Sequence, residues 1–408
     1  MNTPRTQVPP VGPSARPRPH VVVLGGGYAG VMAANRLRGE DVDVTVVNPR
    51  PHFVERIRLH QVAARTGSAD HTYTEVLGDG VRLLVDAAVR IDAATTTVHL
   101  ASGATLTYDQ LVYAVGSTGS ATDAITGLAD HGHVLGEWDA AGRLAEALAA
   151  DPAASVTVVG GGLSGIEMAA ELVEPGPTTR PVRLVSDGVI APGFSARGRA
   201  ATRRQLATMG VEVIENTRVT AIAAASVTAV RSGEEIELPS GITIVAAGFG
   251  VPALAADSGL RTDPMGRLLT DETLTSLDDP RIVGAGDAVA PSNTPLRMSC
   301  QAAVPLGLHA AATVRAHLSG AAGDPIRISF SGQNASLGRR AATIQLAHRD
   351  DTPTRVIITG RAGAAIKESV CRCTVRFLTW EARRPGLVRS RTRPPRSGDE
   401  LRAMAQVR

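Results

Sequence analysis

The stretches VVVLGGGYAG at residues 21–30 and VTVVGGGLSG at residues 156–165 share one ten-residue pattern. In each, a run of apolar, mostly β-branched residues predicts a buried parallel strand, and a glycine-rich turn then opens a helix. In the G-x-G-x-x-G pattern the first glycine permits the tight turn, the second lets the backbone approach a pyrophosphate, and the third lets the helix pack closely. The glycines are Gly25, Gly27, Gly30, Gly160, Gly162 and Gly165. Two copies in the same context predict two dinucleotide sites.

Each copy lies in a predicted βαβ unit of about 30 residues. The first helix begins at Tyr28 and Ala29, and the second begins at Leu163 and Ser164. The N–H groups at such a helix start are unpaired and carry a partial positive charge. Both turns are therefore predicted to bind phosphate groups.

The end of the second strand of each unit is where an acidic side chain is expected to bind an adenosine ribose. Asn48 stands there in the first unit, and an amide can still donate to and accept from a hydroxyl. In the second unit Ser186 holds the aligned place and Asp187 follows it. If Asp187 turns inward, NADH is favoured. If Ser186 turns inward with an arginine such as Arg203 or Arg204 nearby, NADPH becomes acceptable. We favour NADH, with NADPH as the open alternative.

Three further motifs follow the two turns in a fixed order. They are YDQLVYAVGS (108–117), ITIVAAGF (242–249) and DPRIVGAGDA (279–288). With the two glycine turns, this order resembles the FAD-dependent pyridine nucleotide-disulfide oxidoreductases, and within them the type II NADH dehydrogenase-like branch. The resemblance covers roughly residues 20–320.

The resemblance implies an α/β fold with two Rossmann-like domains, the second inserted in the first. It implies that the first unit binds FAD and the inserted unit binds NAD(P)H. Residues 20–122 and 242–325 would form the FAD domain and residues 123–241 the NAD(P)H domain. A small α+β domain with a basic tail would occupy residues 326–408. Residues 1–19, before the FAD domain, would be a disordered leader.

The resemblance also assigns roles to single residues. Gly286 and Asp287 would bind the ribitol of FAD, while Gly116, Ser117 and Gly248 would mark the crossings between the domains. Glu167, two residues past Gly165, would lie near the nicotinamide. An equal alternative is that Glu167 only stabilises the start of its helix through the helix dipole.

The segment MSCQAAVPLG (298–307) resembles the part of the family that lies beside the flavin and the quinone. Gln301 aligns with a glutamine that could bind the flavin or the acceptor. Pro305 replaces a second glutamine, and proline lacks both an amide side chain and a backbone N–H. His60 follows the polar residues Glu55, Arg56 and Arg58, and it is either a proton donor to the acceptor or a structural histidine.

Three cysteines, Cys300, Cys371 and Cys373, bear on the choice of branch. Disulfide reductases carry C-x₄-C soon after the first βαβ unit, and residues 49–65 contain no cysteine. Sulfide:quinone oxidoreductases need two flavin-side cysteines from distant parts of the chain. Cys300 could be one, but no cysteine lies in the middle of the chain to be the other. Cys371 and Cys373 are too few for a zinc site, so no metal is expected.

The net charge of +3 is too small to predict a nucleic-acid partner. The start of the chain lacks the apolar segment of a signal peptide, and no apolar run is long enough to span a bilayer. We therefore expect a cytoplasmic protein, or one bound peripherally at the inner face of the membrane. A homodimer is a further expectation.

Residues 364–384 place Ile366, Val370, Cys373, Phe377 and Trp380 at helical spacing, with arginines mostly elsewhere. Such a helix could lie in a membrane interface or could cover the core with its arginines in water.

We predict an FAD-dependent NAD(P)H oxidoreductase that passes electrons to a second acceptor, in the first instance a quinone. The alternative is a reductase in specialised metabolism that serves a small molecule or a redox partner protein. Pro305 and the polar segment at 55–58 motivate that alternative.

Overall fold

The strands of the first unit are apolar runs that pair in parallel, as their β-branched composition predicts.

A computed structural model describes residues 18–119, 125–174, 180–390, 394–398, 400 and 401. The predicted leader lies almost entirely outside these residues, as does part of the basic tail.

The chain forms ten helices and twenty-five strands over the described residues, apart from two short 3-10 turns. The N-terminal part contains β1 (His20–Leu24), α1 (Tyr28–Leu37), β2 (Asp43–Asn48), β3 (His52–Val54), α2 (Leu59–Ala63), β4 (Asp70–Thr72), α3 (Tyr73–Val76), β5 (Val81–Val85), β6 (Ala88–Asp92), β7 (Thr97–Leu100), β8 (Thr105–Thr107), β9 (Gln110–Tyr113) and β10 (Thr118–Gly119). The next part contains α4 (Leu128–His131), β11 (Gly132–Val134), α5 (Trp138–Ala150), β12 (Val156–Val159), α6 (Leu163–Val173), β13 (Val182–Val185), α7 (Ala196–Thr208), β14 (Val211–Ile214), β15 (Thr217–Ile222), β16 (Ser226–Arg231), β17 (Glu234–Pro239) and β18 (Ile242–Val245). The rest contains β19 (Phe249–Gly250), α8 (Leu254–Asp257), β20 (Leu268–Thr270), β21 (Ile282–Gly284), β22 (Val289–Pro291), α9 (Cys300–Leu318), β23 (Gly332–Leu337), β24 (Ala341–Ala347), β25 (Pro353–Thr359) and α10 (Gly360–Arg383).

The first sheet has the order β21-β9-β1-β2-β5, and every neighbouring pair is parallel. Four of its strands precede the second unit in the sequence. The fifth, β21 at the edge of the sheet, follows that unit. The apolar face of α1 packs against α9, and Gly307 in α9 lies so close to Ala29 that a side chain there would collide with the backbone. The start of α1 is thereby held at the carboxyl end of β1.

The second sheet repeats this plan in the order β11-β18-β12-β13-β14, again all parallel. β18 pairs with β12, so residues 242–245 belong to this sheet and not to the FAD region, where the sequence placed them. The boundary predicted at residues 122–123 falls outside the described residues. β5 pairs in parallel with β2, and the three strands that follow it, β6, β7 and β8, form an antiparallel meander.

The C-terminal unit is a three-stranded antiparallel sheet, β23-β24-β25, followed by the long helix α10. It contacts both preceding units, since α10 packs on α1 and β23 packs on α6. The predicted fold class, two Rossmann-like units and a small α+β region, is confirmed.

Candidate functional site

The first glycine turn is shaped by close backbone contacts. Gly25 has a φ of +101°, and a side chain there would collide with the carbonyl oxygen of Ala114. A side chain at Gly30 would collide with the carbonyl oxygen of Gly25. Gly27, in contrast, has no neighbouring atom within 4 Å of the place where a side chain would begin. The space beside the middle glycine is therefore open, as a pyrophosphate requires.

Asn48 holds this turn from the end of β2. Its Oδ1 accepts from the Gly26 N–H at 3.0 Å, and its Nδ2 donates to the Arg50 carbonyl at 2.9 Å. The Tyr73 hydroxyl donates to the Gly26 carbonyl at 2.9 Å. Asn48 was predicted to contact a ribose, and the structure adds a second task, which is to fix the glycine turn.

Asp287 lies at the carboxyl end of β21, where the sequence placed it. Its Oδ2 accepts from the Ser117 hydroxyl at 2.8 Å and its Oδ1 from the Ser299 N–H at 3.2 Å. Burial raises the pKa of Asp287, and the hydrogen bond from Ser117 opposes that shift. Gly286 beside it has a φ of +78°, which favours glycine.

A cavity of about 310 Å³ joins these features. Its lining includes the first glycine turn, Asn48, Gly116, Ser117 and Asp287. Two buried polar atoms of its walls, Tyr28 Oη and His52 Nε2, have no hydrogen-bond partner in the described structure. Open space at the middle glycine and unpaired polar atoms fit FAD, whose phosphates and ring edges offer hydrogen-bond partners.

Sequence reasoning did not assign Arg56 to this cavity. The guanidinium donates to the Ser117 carbonyl, and it donates to the Gly136 carbonyl at 2.6 Å. Arg56 thus links Ser117, where the chain leaves the first unit, to Gly136 of the second unit, and all three residues line the cavity. The only signal in the sequence is a charged residue in a segment that is expected to be apolar.

Gly116 and Gly248 follow β9 and β18, the strands after which the resemblance predicts the crossings between the two units. Gly116 and Gly248 have φ values of +71° and +74°, in the left-handed region that favours glycine. The short strands that follow them, β10 and β19, pair with each other.

The second glycine turn repeats the first. Gly160 has a φ of +125° and lies against the backbone of Ala246, and a side chain at Gly165 would collide with the Gly160 carbonyl. Gly162 again has open space around it. Ser186 at the end of β13 is buried, whereas the Asp187 side chain is exposed.

Glu167 is directed toward the C-terminal unit and lies in a buried polar cluster that we call the Lys367 cluster, made of His60, Glu167 and Lys367. The Lys367 Nζ is 2.8 Å from Glu167 Oε1, which also accepts from the Ser336 N–H at 3.0 Å. His60 Nδ1 lies 3.9 Å from Glu167 Oε2. Helix α6, helix α2 and helix α10 each supply one member.

Burial raises the pKa of Glu167, but Lys367 and His60 outweigh it, and the net pKa lies below its ordinary value. Burial lowers the pKa of Lys367, and the ion pair with Glu167 leaves it net raised. Burial lowers the pKa of His60 to about 4, so the imidazole is neutral at pH 7. This argues against His60 as the cationic proton donor that the sequence suggested. The cation of the cluster is Lys367, the only lysine of the chain, to which the sequence motifs assign no role.

Gln301 lies in the first turn of α9, where its Oε1 accepts from Arg297 at 3.4 Å. Arg297 in turn pairs with Asp351 at 2.5 Å and covers the Phe330 ring. Pro305 lies inside α9 and removes the N–H that would bond to the Gln301 carbonyl. No described atom tests whether Gln301 contacts a flavin, and that role stays a prediction.

All three cysteines are free thiols. Burial raises the pKa of Cys300 and of Cys371, and in both cases the Lys367 ammonium acts in the opposite direction. Two cysteines from distant parts of the chain therefore lie around one lysine. Neither cysteine belongs to the lining of the cavity at the first glycine turn, so the part of the chain that the structure describes gives no pair of flavin-side cysteines.

Comparisons with known proteins agree with this geometry. Residues 19–307 match the family described as pyridine nucleotide-disulphide oxidoreductase. The chain is 32% identical over 323 residues to NADH dehydrogenase-like protein Rv1812c of Mycobacterium tuberculosis, covering 72% of this chain and 79% of that protein. It is 27% identical over 393 residues to the type II NADH:quinone oxidoreductase of Staphylococcus haemolyticus, covering 87% and 95%. The solved sulfide:quinone oxidoreductase of Aquifex aeolicus superposes with a TM-score of 0.76 at 19% identity, over 89% of this chain and 92% of that one.

The resemblance predicted from the five motifs is confirmed, because the matching region spans both glycine turns and reaches Asp287 and Gln301. The two turns and the cavity suit FAD and NAD(P)H, the cofactors that this match implies. The chain therefore belongs to the pyridine nucleotide-disulphide oxidoreductases, and it is an FAD- and NAD(P)H-dependent oxidoreductase of the type II NADH dehydrogenase-like branch.

Proposed function

We propose that the protein transfers two electrons from NAD(P)H to a quinone. FAD, when bound at the first glycine turn, supplies the carrier that takes a hydride from the nicotinamide and passes the electrons on. Relatives named NADH:quinone oxidoreductase support the acceptor class. The two turns are the candidate phosphate sites, Asp287 and Ser117 are the candidate ribitol contacts, and the Lys367 cluster is the candidate source of protons.

The buried ion pair of Lys367 with Glu167 is the observation that carries the proposal. Reduction of a quinone consumes two electrons and two protons, so an enzyme that excludes water has to deliver protons itself. The Lys367 ammonium lies close enough to Cys300 to act on its thiol, and Cys300 follows Ser299, which donates to Asp287. Lys367 is thus a charged donor next to the segment that adjoins the candidate flavin site.

In this proposal Lys367 gives one of the two protons to the acceptor oxygen as that oxygen gains negative charge. The other hydrogen derives from the hydride that leaves NAD(P)H, and a solvent proton restores the Lys367 ammonium. Glu167 keeps the ammonium charged and oriented at 2.8 Å. Neutral His60 lies behind the pair and does not add a second positive charge. Because each group comes from a different unit, the donor exists only when the C-terminal unit is docked.

Lys367→Arg tests the proton step, since arginine keeps the positive charge and the pairing with Glu167 but is a much weaker acid than a lysine ammonium. We expect rapid stopped-flow bleaching of the flavin by NADH and a fall of about a hundredfold in its reoxidation by a soluble quinone analogue. Unchanged quinone reduction in Lys367→Arg would contradict the role of Lys367. A yellow wild-type protein that NADH and NADPH both fail to bleach would contradict the proposed function itself.

A reductase for a small molecule or a redox partner protein is the second candidate, and a charged network favours it. Glu55 and Arg58 are buried and paired at 2.9 Å, and Arg58 contacts both carboxylate oxygens of Glu368 at 3.1 Å. This network reaches His60 through Gln61 and makes the surroundings of the Lys367 cluster more polar than an isoprenoid tail prefers. Pro305 in α9 adds a second reason, since it stands where the resemblance predicts a glutamine beside the quinone. A screen that follows flavin reoxidation with quinones and with polar acceptors separates the two candidates.

We also propose that α10 attaches the protein peripherally to a membrane. Ile366, Val370, Phe377 and Trp380 form an exposed stripe along this helix, so the stripe does not cover the core. The neighbouring face, with Cys371, Thr374 and Leu378, is buried. Within the residues that the structure describes, no helix is both long and apolar enough to cross a bilayer.

Flotation with vesicles that contain anionic lipid tests this attachment. We expect the wild type to float, Phe377→Glu with Trp380→Glu to remain in the soluble fraction, and added salt to weaken the binding through the arginines. Equal recovery of wild type and variant with the vesicles would contradict it. The predicted homodimer stays a prediction, which light scattering on the same sample tests.

A further inference from the structure

The residues that follow β13 settle which of the two side chains faces the second glycine turn. Ser186 is only 6% exposed, and a side chain added at Gly161 would collide with its hydroxyl. The Asp187 side chain is turned outward and is 70% exposed. The position that is expected to carry a ribose-binding acid therefore presents a small hydroxyl.

Two arginines lie near this strand end, and their situations differ. Arg203 is paired at 2.5 Å with Glu215, whose other oxygen accepts from the Ile190 N–H at 2.8 Å. Through Glu215, Arg203 therefore stabilises the loop after β13 that contains Ile190. Arg218, at the start of β15, has its Nε 3.6 Å from Asp187 Oδ1 and is 70% exposed.

Backbone hydrogen bonds hold Arg218 close to the strand end. The Thr217 N–H donates to the Ser186 carbonyl at 2.8 Å, and the Asn216 N–H donates to the Gly188 carbonyl at 3.2 Å. Arg218 follows directly, so its long side chain can move from Asp187 toward a group bound beside Ser186. Exposed ion pairs of this kind are weak, and exchanging the partner costs little.

We infer that the protein accepts NADPH as well as NADH, with Arg218 binding the 2′-phosphate and Asp187 opposing it. The inference rests on the proposed function, because it assigns the second turn to a nicotinamide dinucleotide. Ser186 is smaller and carries no charge where an acidic side chain is expected, and Arg218 is a cation held at the same strand end. Asp187 repels the same phosphate and can accept from a ribose hydroxyl, so neither coenzyme is strongly excluded.

Dissociation constants of NADP⁺ and NAD⁺, measured by calorimetry on the FAD-loaded protein, test the inference without relying on turnover. We expect the two values to lie within about tenfold of each other, because one charge-assisted contact is opposed by one repulsion. Arg218→Ala should weaken NADP⁺ binding about tenfold and leave NAD⁺ nearly unchanged. Asp187→Ala should tighten NADP⁺ binding by a similar factor, so the two variants shift selectivity in opposite directions.

Arg204→Ala is the matched control, since Arg204 is an exposed arginine of α7 that the sequence also offered for the phosphate. We expect no change in either constant. Wild-type NADP⁺ binding more than about a hundredfold weaker than that of NAD⁺ would overturn the inference. So would an Arg218→Ala variant that weakens both ligands equally. If both dinucleotides bind with the expected selectivity but neither NADH nor NADPH bleaches the flavin, the proposed function fails and the selectivity stands.

Discussion

The two glycine turns share six of ten residues and one pattern, and the helices that follow them soon differ in character. Two residues after the third glycine, α1 carries Met32 and α6 carries Glu167. Met32 is fully buried in the core against apolar neighbours, whereas Glu167 is buried in an ion pair with Lys367. The shared part of the pattern forms a phosphate site, and the divergent part determines what each unit contacts: a core in the first, a charged cluster in the second.

The largest expected effect on cofactor binding and activity comes from the middle glycines. Gly27 and Gly162 have ordinary extended backbones and no neighbour within 4 Å, so valine at either position should leave the fold intact. The added side chain would occupy the space predicted for a pyrophosphate. We expect Gly27→Val to be purified without flavin. Gly162→Val should be yellow, reducible by dithionite, and bleached by NADH about a hundredfold more slowly, because roughly 2.7 kcal/mol of binding is lost.

Gly142→Val is the control for these variants, since Gly142 also has open space but lies in α5 and does not line the cavity at the first turn. It should keep its flavin and its rate of bleaching. If Gly27→Val retains FAD while Gly162→Val loses it, the assignment of the two cofactors is reversed.

The next effect concerns Glu167, the charged residue of α6 at the position where α1 has Met32. Glu167→Met makes the second helix resemble the first, but it leaves the Lys367 ammonium buried without its carboxylate. We expect the free energy of unfolding to fall by about 3–5 kcal/mol. The double variant Glu167→Met with Lys367→Met removes both charges, and it should recover most of that loss while quinone reduction stays slow.

Denaturant titration of the wild type, the single variant and the double variant measures this coupling. A double variant no more stable than Glu167→Met would mean that the two charges do not stabilise each other. Normal quinone reduction in the double variant would remove the Lys367 cluster from the proposed proton step.

The third effect is a dependence of stability on pH that arises from His60, which the first unit places beside Glu167 of the second. His60 has a pKa of about 4 in the folded protein, below its ordinary value of 6.5, because it is buried. Between these two values the unfolded chain binds more protons than the folded one, so the free energy of unfolding rises with pH. The contribution of His60 is complete above pH 6.5 and is lost as the pH falls toward 4, and it amounts to about 3 kcal/mol.

His60→Gln removes this titration and keeps a polar side chain beside Glu167. When the pH falls from 7 to about 4, the wild type should lose about 3 kcal/mol more unfolding free energy than the variant does. A difference that does not change over this range would show that His60 is protonated equally in both states.

The sequence predicted the two turns because everything that forms them is local. Each glycine, the strand before it and the helix after it lie within one βαβ unit, so their spacing is sufficient. The Lys367 cluster could not be found in this way, since His60, Glu167 and Lys367 are separated by 107 and 200 residues and meet only when the C-terminal unit docks. Arg56 was missed for the same reason, because its partner Gly136 belongs to the other unit.

The smallest expected effect comes from Asn48 and Ser186, the residues at the ends of β2 and β13. Asn48 supports its turn through the side chain, which accepts from the Gly26 N–H, whereas the hydrogen bonds of Ser186 run through its backbone to Ile214 and Thr217. Asn48→Ala should therefore lower the free energy of unfolding of the apoprotein by about 1 kcal/mol, and Ser186→Ala should change it by only a few tenths, since few hydrogen bonds depend on it. Denaturant midpoints of the two apoprotein variants check this. Equal losses would mean that the second turn also depends on its strand-end side chain, and the two turns would then be supported in the same way although the residues differ.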